Sequence, residues 1–237
     1  MTARHRWAAA LAAALLGTVP ACGDDGGSSE DAAGDPAASP FDLVVLGDSF
    51  VEHSRDQIRA YAESQGLAVE VMGLGGTAIC NWDDKLEAYA AAPPRIMVIS
   101  FAGNDIPHTC FNPTDESRDA ATVAAGYREE LDDVVELFAD TGAELWAVVP
   151  PPIRDEEFEE RAAAMRVMYA EAAADHPDLR LVDAADGLGT EYRATLPCEP
   201  WDDCPPEGEV VVRDDDGIHL APAGAERYAR TIVDTVT

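Results

Sequence analysis

From Phe41 onward, short apolar runs alternate with longer stretches in which apolar residues recur every three or four positions. The runs are FDLVVL (41–46), AVEVM (68–72), RIMVISF (95–101), ELWAVV (144–149) and LRLVD (179–183). Rich in Val, Ile and Leu and without polar alternation, they predict parallel strands covered on both faces. Between them, Val123, Tyr127, Leu131, Val134 and Phe138 make one buried helical stripe, and Phe158, Ala162, Met165, Tyr169 and Ala172 make another. A last helix opens near Pro222 and carries Tyr228, Ile232 and Val236. Strand and helix alternating about five times predicts an open α/β sheet, doubly wound, whose site lies outside the carboxyl ends of the strands.

The chain before Phe41 follows no such pattern. Arg4 and Arg6 precede a 13-residue apolar run, WAAALAAALLGTV, with small residues around Cys22 after it. A membrane span needs about 20 apolar residues, so this run predicts a secretory signal over residues 1–21. The tetrapeptide VPAC (19–22) resembles a lipobox, which makes Cys22 the candidate lipidation site of a bacterial lipoprotein; the alternative is a plain signal peptide cut nearby. Residues 22–40 contain no aliphatic residue larger than alanine and cannot drive packing. They predict a disordered tether of roughly 25 Å mean span, with the folded domain over 41–237. The expected location is extracytoplasmic, secreted or anchored to the cell membrane through lipid.

Export changes the meaning of the cysteines. If Cys22 carries lipid, Cys80, Cys110, Cys198 and Cys204 remain, an even set for an oxidising compartment. Of the three possible pairings, short separation favours Cys198–Cys204 across CEPWDDC. Cys80 and Cys110, which follow the second and third polar clusters below, are expected to meet over one sheet edge. A metal site lacks the close cysteine pairs that zinc needs, and the contiguous acids of DDDGIH (214–219) fit a turn better than a calcium loop. Neither metal nor cofactor is expected. The formal charge of −30, from 46 acidic and 16 basic residues, argues against nucleic-acid partners and anionic membranes.

Four polar clusters interrupt the pattern where the fold class places a site: GDSF (47–50), GLGGT (73–77), GND (103–105) and DGIH (216–219). Each alone is an ordinary turn. Together they hold the parts of acyl transfer. Ser49 is a candidate nucleophile, which needs a base; His219 is the candidate for that base, and Asp216, three residues earlier, can orient the imidazole and stabilise its charged form. Backbone N–H groups at Ser49 and Gly76 and the Asn104 amide are candidate oxyanion donors, with Gly75 competing for the role of Gly76. Asp48 is expected to brace the turn. Trp82 is a candidate for the site or for packing, and Pro150–Pro152 for a wall of the cleft. His53, His108 and His176 are expected to be exposed and without placed partners, with His108 alone of the three expected near substrate.

These blocks, in this order, resemble the SGNH family of hydrolases, the GDSL esterases and lipases, over essentially all of Phe41 to Thr237. Phe50 stands where the family usually has leucine, and the second block lacks a frequent Asn before its glycines. The resemblance implies a three-layer sandwich with a five-stranded parallel sheet, flavodoxin-like. It also implies a Ser49–His219–Asp216 triad with an oxyanion hole at Ser49, Gly76 and Asn104. The expected activity is hydrolysis of short-chain or acetyl esters through an acyl-enzyme, on small molecules or glycans, by a monomer. The alternatives are an O-acyltransferase acting on cell-envelope glycans and a non-catalytic glycan-binding lipoprotein.

Overall fold

The computed structural model describes residues 39–105 and 118–237. The signal segment, Cys22, His108 and Cys110 lie outside the described residues, and with them the lipidation site and the Cys80–Cys110 pairing. Five strands form one parallel sheet: β1 (Leu43–Gly47), β2 (Val69–Gly73), β3 (Ile96–Ser100), β4 (Glu144–Val149) and β5 (Leu179–Asp183), in the order β2-β1-β3-β4-β5. The order and the all-parallel pairing are those expected of a flavodoxin-like sheet.

The strands lack polar alternation because both faces are covered. Leu43 and Val45 of β1, with Ile96 and Val98 of β3, pack beneath α1 (Ser49–Ser64) and α6 (Pro222–Val236). Val44 and Leu46, with Met97 and Ile99, pack beneath α2 (Asp83–Ala91), α3 (Ala120–Phe138) and α4 (Glu156–Asp175). The predicted stripes are the buried faces: Val123, Tyr127, Leu131, Val134 and Phe138 on α3, and Tyr228, Ile232 and Val236 on α6. Each large apolar side chain so buried contributes about 1.5–3 kcal/mol. Side-chain caps set the starts of three helices, with Asp48 accepting from Phe50 N, Asp119 from Thr122 N and Asp155 from Glu157 N and Phe158 N. No described helix is long and apolar enough to cross a membrane.

One part of the architecture is not in the sequence pattern. After a short helix, α5 (Ala185–Leu188), an antiparallel pair forms from β6 (Thr195–Pro197) and β7 (Glu209–Val211). Its connecting loop holds the expected Cys198–Cys204 disulfide. Arg227 of α6 ties that loop down, donating to Pro197 O at 2.6 Å and to Asp202 Oδ2 at 2.7 Å.

The sheet fixes where chemistry can occur. The chain passes from β1 outward to β2, then returns to the other side of β1 for β3. Loops leaving β1 and β3 therefore diverge and leave a crevice above the carboxyl ends.

Candidate active site

At the top of β1 the backbone has little room. A Cβ on Gly47 would collide with Ser100 O of β3 and with Val51 of α1, so glycine lets strand, neighbour and helix converge. The next residue, Asp48, is 1% exposed and joins its own turn to the loop after β3. Its carboxylate accepts from Phe50 N (3.0 Å), Ala102 N (2.8 Å) and Asn104 Nδ2 (3.2 Å). Burial pushes its pKa up to about 6, against the pull of those backbone N–H groups and of His219. Asp48 is thus the brace expected from the sequence, and it reaches further than its own turn.

Ser49 is the first residue of α1, where helical geometry leaves the backbone N–H without an intrahelical acceptor and the helix dipole favours negative charge. The second block closes over it. Leu74 N donates to Gly47 O at 3.1 Å, and Thr77 Oγ1 donates to Leu74 O at 2.7 Å while accepting from Trp82 Nε1 at 3.1 Å. Trp82 therefore supports this loop from behind and does not line the cavity. Gly76 adopts a φ of 78°, a conformation that favours glycine. Gly75 N donates to Glu52 Oε2 at 2.7 Å, which leaves Gly76 as the block's open backbone donor. Asn104 reaches the same place, with its amide nitrogen donating to Asp48 Oδ2 and to Thr77 O at 3.1 Å.

The final block is a closed turn on the opposite side. Asp214 N donates to His219 O at 3.0 Å, and Asp216 Oδ1 accepts from Ile218 N (2.8 Å) and His219 N (3.0 Å). Asp216 Oδ2 lies 2.6 Å from His219 Nδ1. Partial burial pushes the Asp216 carboxyl up, but the His219 ring and the two backbone N–H groups outweigh it and hold the pKa down to about 2. An ionised partner at Nδ1 selects the tautomer that carries its proton there and leaves Nε2 with a free lone pair.

Ser49, Gly76, Asn104 and His219 line one cavity of about 310 Å³, close to the lower end of the range for small-molecule sites. Phe50, Ile153, Phe158 and Ile218 give it an apolar wall. Ile153 follows the proline run, but Pro150–Pro152 themselves are not among the residues that line the cleft. The Ser49 hydroxyl and His219 Nε2 have no hydrogen-bond partner among the described residues, and both side chains belong to the lining.

Two lining residues escaped sequence reasoning. Glu52 and His53 follow Ser49 by three and four positions, which puts them on its face of the helix; that spacing was the signal. The His53 ring stacks on His219, centroids 4.4 Å apart and planes 9° apart, with His53 Nδ1 4.0 Å from Asp214 Oδ2. His53 therefore has a placed partner. So has His176, whose Nε2 lies 2.8 Å from Asp132 Oδ1, far from this site in the fold.

Two arginines hold the final turn to the loop after β4. Arg213, 2% exposed, donates to Ile218 O (3.2 Å) and Pro152 O (2.9 Å), and burial pushes its pKa down to about 10. Arg154 donates to Asp215 O, and its backbone N–H donates to Gly217 O at 2.9 Å. Among the described residues no group of His, Cys, Asp and Glu could hold a metal ion.

An acetyl xylan esterase superposes with a TM-score of 0.57 at 17% identity, over 82% of this chain and 100% of that one. The catalytic domain of peptidoglycan O-acetyltransferase A from Streptococcus pneumoniae gives 0.53 at 15%, over 85% and 94%. A GDSL-like lipase from Bacteroides thetaiotaomicron gives 0.52 at 13%, over 82% and 88%. No curated protein matches the sequence. The family model described as "Protein of unknown function (DUF459)" matches residues 42–235. That span takes in every strand of the sheet and all four polar blocks, so the chain belongs to the DUF459 family, and its fold is that of the GDSL/SGNH hydrolases.

Proposed function

We propose that the protein is a serine hydrolase that cleaves carboxylic esters through an acyl-enzyme, with Ser49 as nucleophile, His219 as base and Asp216 as its orienting acid. The observation that carries this reading is convergence. Three blocks distant in sequence supply a hydroxyl, an imidazole already paired with a carboxylate at 2.6 Å, and open backbone N–H groups to one cavity. A binding protein has no need to keep these three together.

Ser49 Oγ bonds to the ester carbonyl carbon as its proton passes to His219 Nε2, and Asp216 stabilises the resulting imidazolium. The oxyanion is met by the N–H groups of Ser49 and Gly76 and by the Asn104 amide once it turns from Thr77; one such donor is worth about 2.7–4 kcal/mol. The carbon–oxygen bond to the alcohol then breaks, and His219 returns the proton to the departing oxygen. Water, deprotonated by the same histidine, attacks the acyl-serine and releases the acid. The small cavity favours short acyl groups, acetyl first.

The peptidoglycan O-acetyltransferase domain with this fold supports a second reading, in which a glycan hydroxyl takes the place of water. The test of both is a panel of short-chain esters and acetylated polysaccharides against wild type and Ser49→Ala, with and without an added glycan acceptor. Turnover that Ser49→Ala lacks supports the reading; acyl transfer outpacing release of acid selects the transferase. We further propose that residues 1–21 are removed on export and that Cys22 carries lipid. The mass of the mature N-terminal peptide tests this.

A further inference from the structure

Among the described residues the cavity has no lysine or arginine side chain. Of its lining residues Glu52 and Asp48 carry carboxylates. The undescribed segment 106–117 contains no Lys or Arg, and residues 1–38 contain only Arg4 and Arg6. The arginines nearest the blocks are committed to acceptors of the protein itself: Arg55 to Gly73 O at 2.5 Å, Arg154 to Asp215 O, Arg213 to Ile218 O and Pro152 O, Arg118 to Asp105 Oδ1 at 2.6 Å, and Arg161 to Glu157 Oε1 at 3.2 Å. Most folds that bind a carboxylate or phosphate supply a guanidinium or ammonium for it; this cavity offers only acids and two imidazoles.

Glu52 is the acid that substrate meets. It is exposed, one position before His53 and three after Ser49, and its Oε2 rests on Gly75 N at 2.7 Å. A Cβ on Gly75 would lie 2.8 Å from that oxygen and 3.6 Å from Ser49 Cβ, so the carboxylate flanks the nucleophile.

Resting on the ester-cleaving reading above, we propose that the site selects substrate by charge. It prefers esters that carry a cationic group beside the scissile bond, an amino sugar or a quaternary-ammonium alcohol, over neutral ones. It disfavours those carrying a carboxylate or phosphate, and Glu52 is the residue that sets the order. A unit charge about 6 Å away across a partly wetted cavity changes an encounter by roughly tenfold, and salt screens the effect.

The test uses three aryl acetates of matched shape, bearing trimethylammonium, tert-butyl or carboxylate groups, each enzymatic kcat/KM divided by the rate of the same ester with hydroxide alone. The full chain is expected to favour the cationic over the anionic ester by about tenfold or more at low ionic strength. Glu52→Gln should shrink that ratio several-fold. Because the ratio is read within each variant, a change in overall rate does not disturb it. For wild type alone, raising salt to about 0.5 M should compress it in the same direction. A neutral ester that is cleaved while the charged pair react alike, or a ratio unmoved by Glu52→Gln, overturns the selection by Glu52 and leaves the hydrolase reading standing. Failure to cleave even the neutral ester faster than Ser49→Ala overturns both.

Discussion

The two turns that carry the candidate triad are held in place by different means. The Gly47–Ser49 turn is locked from within. Gly47 fits between β3 and α1, and the buried Asp48 carboxylate ties α1, the β3 exit and Asn104 to one point. The Asp214–His219 turn sits at the surface, its order local to Asp216 and imposed from outside by Arg154 and Arg213. The candidate nucleophile, placed by the sheet, is fixed by contacts distant in sequence. The candidate base, placed by a surface turn, depends on its own short-range hydrogen bonds and on two clamps. Defects in the first turn should therefore register in folding, and defects in the second mainly in catalysis.

The sharpest way to break that contrast removes the chemistry from each turn. Ser49→Ala and His219→Ala should each lower kcat by about 10³-fold or more, since members of a cooperating triad fail together; the double variant should be little worse than either. Turnover of a short-chain ester checks this, and additive losses would mean that the residues do not act as a unit.

Next comes the buried acid. The folded-state pKa of Asp48, about 6, stands above its ordinary value of 3.8. The native state therefore holds the proton more tightly than the unfolded chain, and stability falls as pH rises through that window. Asp48→Asn does not titrate. Its stability relative to wild type should improve by about 2 kcal/mol between pH 4 and pH 8, measured by urea denaturation at the two pH values. Asp216, held down to about 2, acts in the opposite sense, its contribution lost as pH falls from about 4 toward 2. Glu130, pushed up to about 7 by burial despite the Cys80 N–H, acts like Asp48. Both are common to the two proteins and cancel in the comparison.

Loosening the outer clamp should cost catalysis more than folding. Arg213→Met frees Ile218 O and Pro152 O, and the misplacement of His219 should lower kcat by about tenfold with KM nearly unchanged. The smallest effect is expected from His53→Ala, which removes the stacked ring but leaves Asp216 in place; kcat should fall by about threefold, with a change in the pH profile of kcat as the second readout. An unchanged profile would leave the stack a packing contact.

Much of this was legible in the chain. Five strands and the stripes of α3, α4 and α6 follow from burial on two faces, which leaves a strong periodic signal. The blocks at strand ends were legible because a doubly wound sheet gathers its loops at one edge. The β6–β7 pair was not, since three-residue strands that are largely exposed carry almost no period. Glu52 and His53 read as ordinary polar helix surface, because nothing in sequence marks which exposed face looks into a cavity; only their spacing from Ser49 does. The role of Arg213 and the bonds that hold the Asn104 amide lay further out of reach, because their partners are backbone carbonyls and a buried carboxylate brought near by the fold.

The central claim is that Ser49 is an activated nucleophile, and covalent labelling tests it most directly. Treated with a fluorophosphonate probe, the wild-type chain should gain one adduct, located on the peptide containing Ser49. The adduct should be lost in Ser49→Ala and form far more slowly in His219→Ala. A folded protein that stays unlabelled, or that is labelled elsewhere at the same rate in all three, would contradict the account.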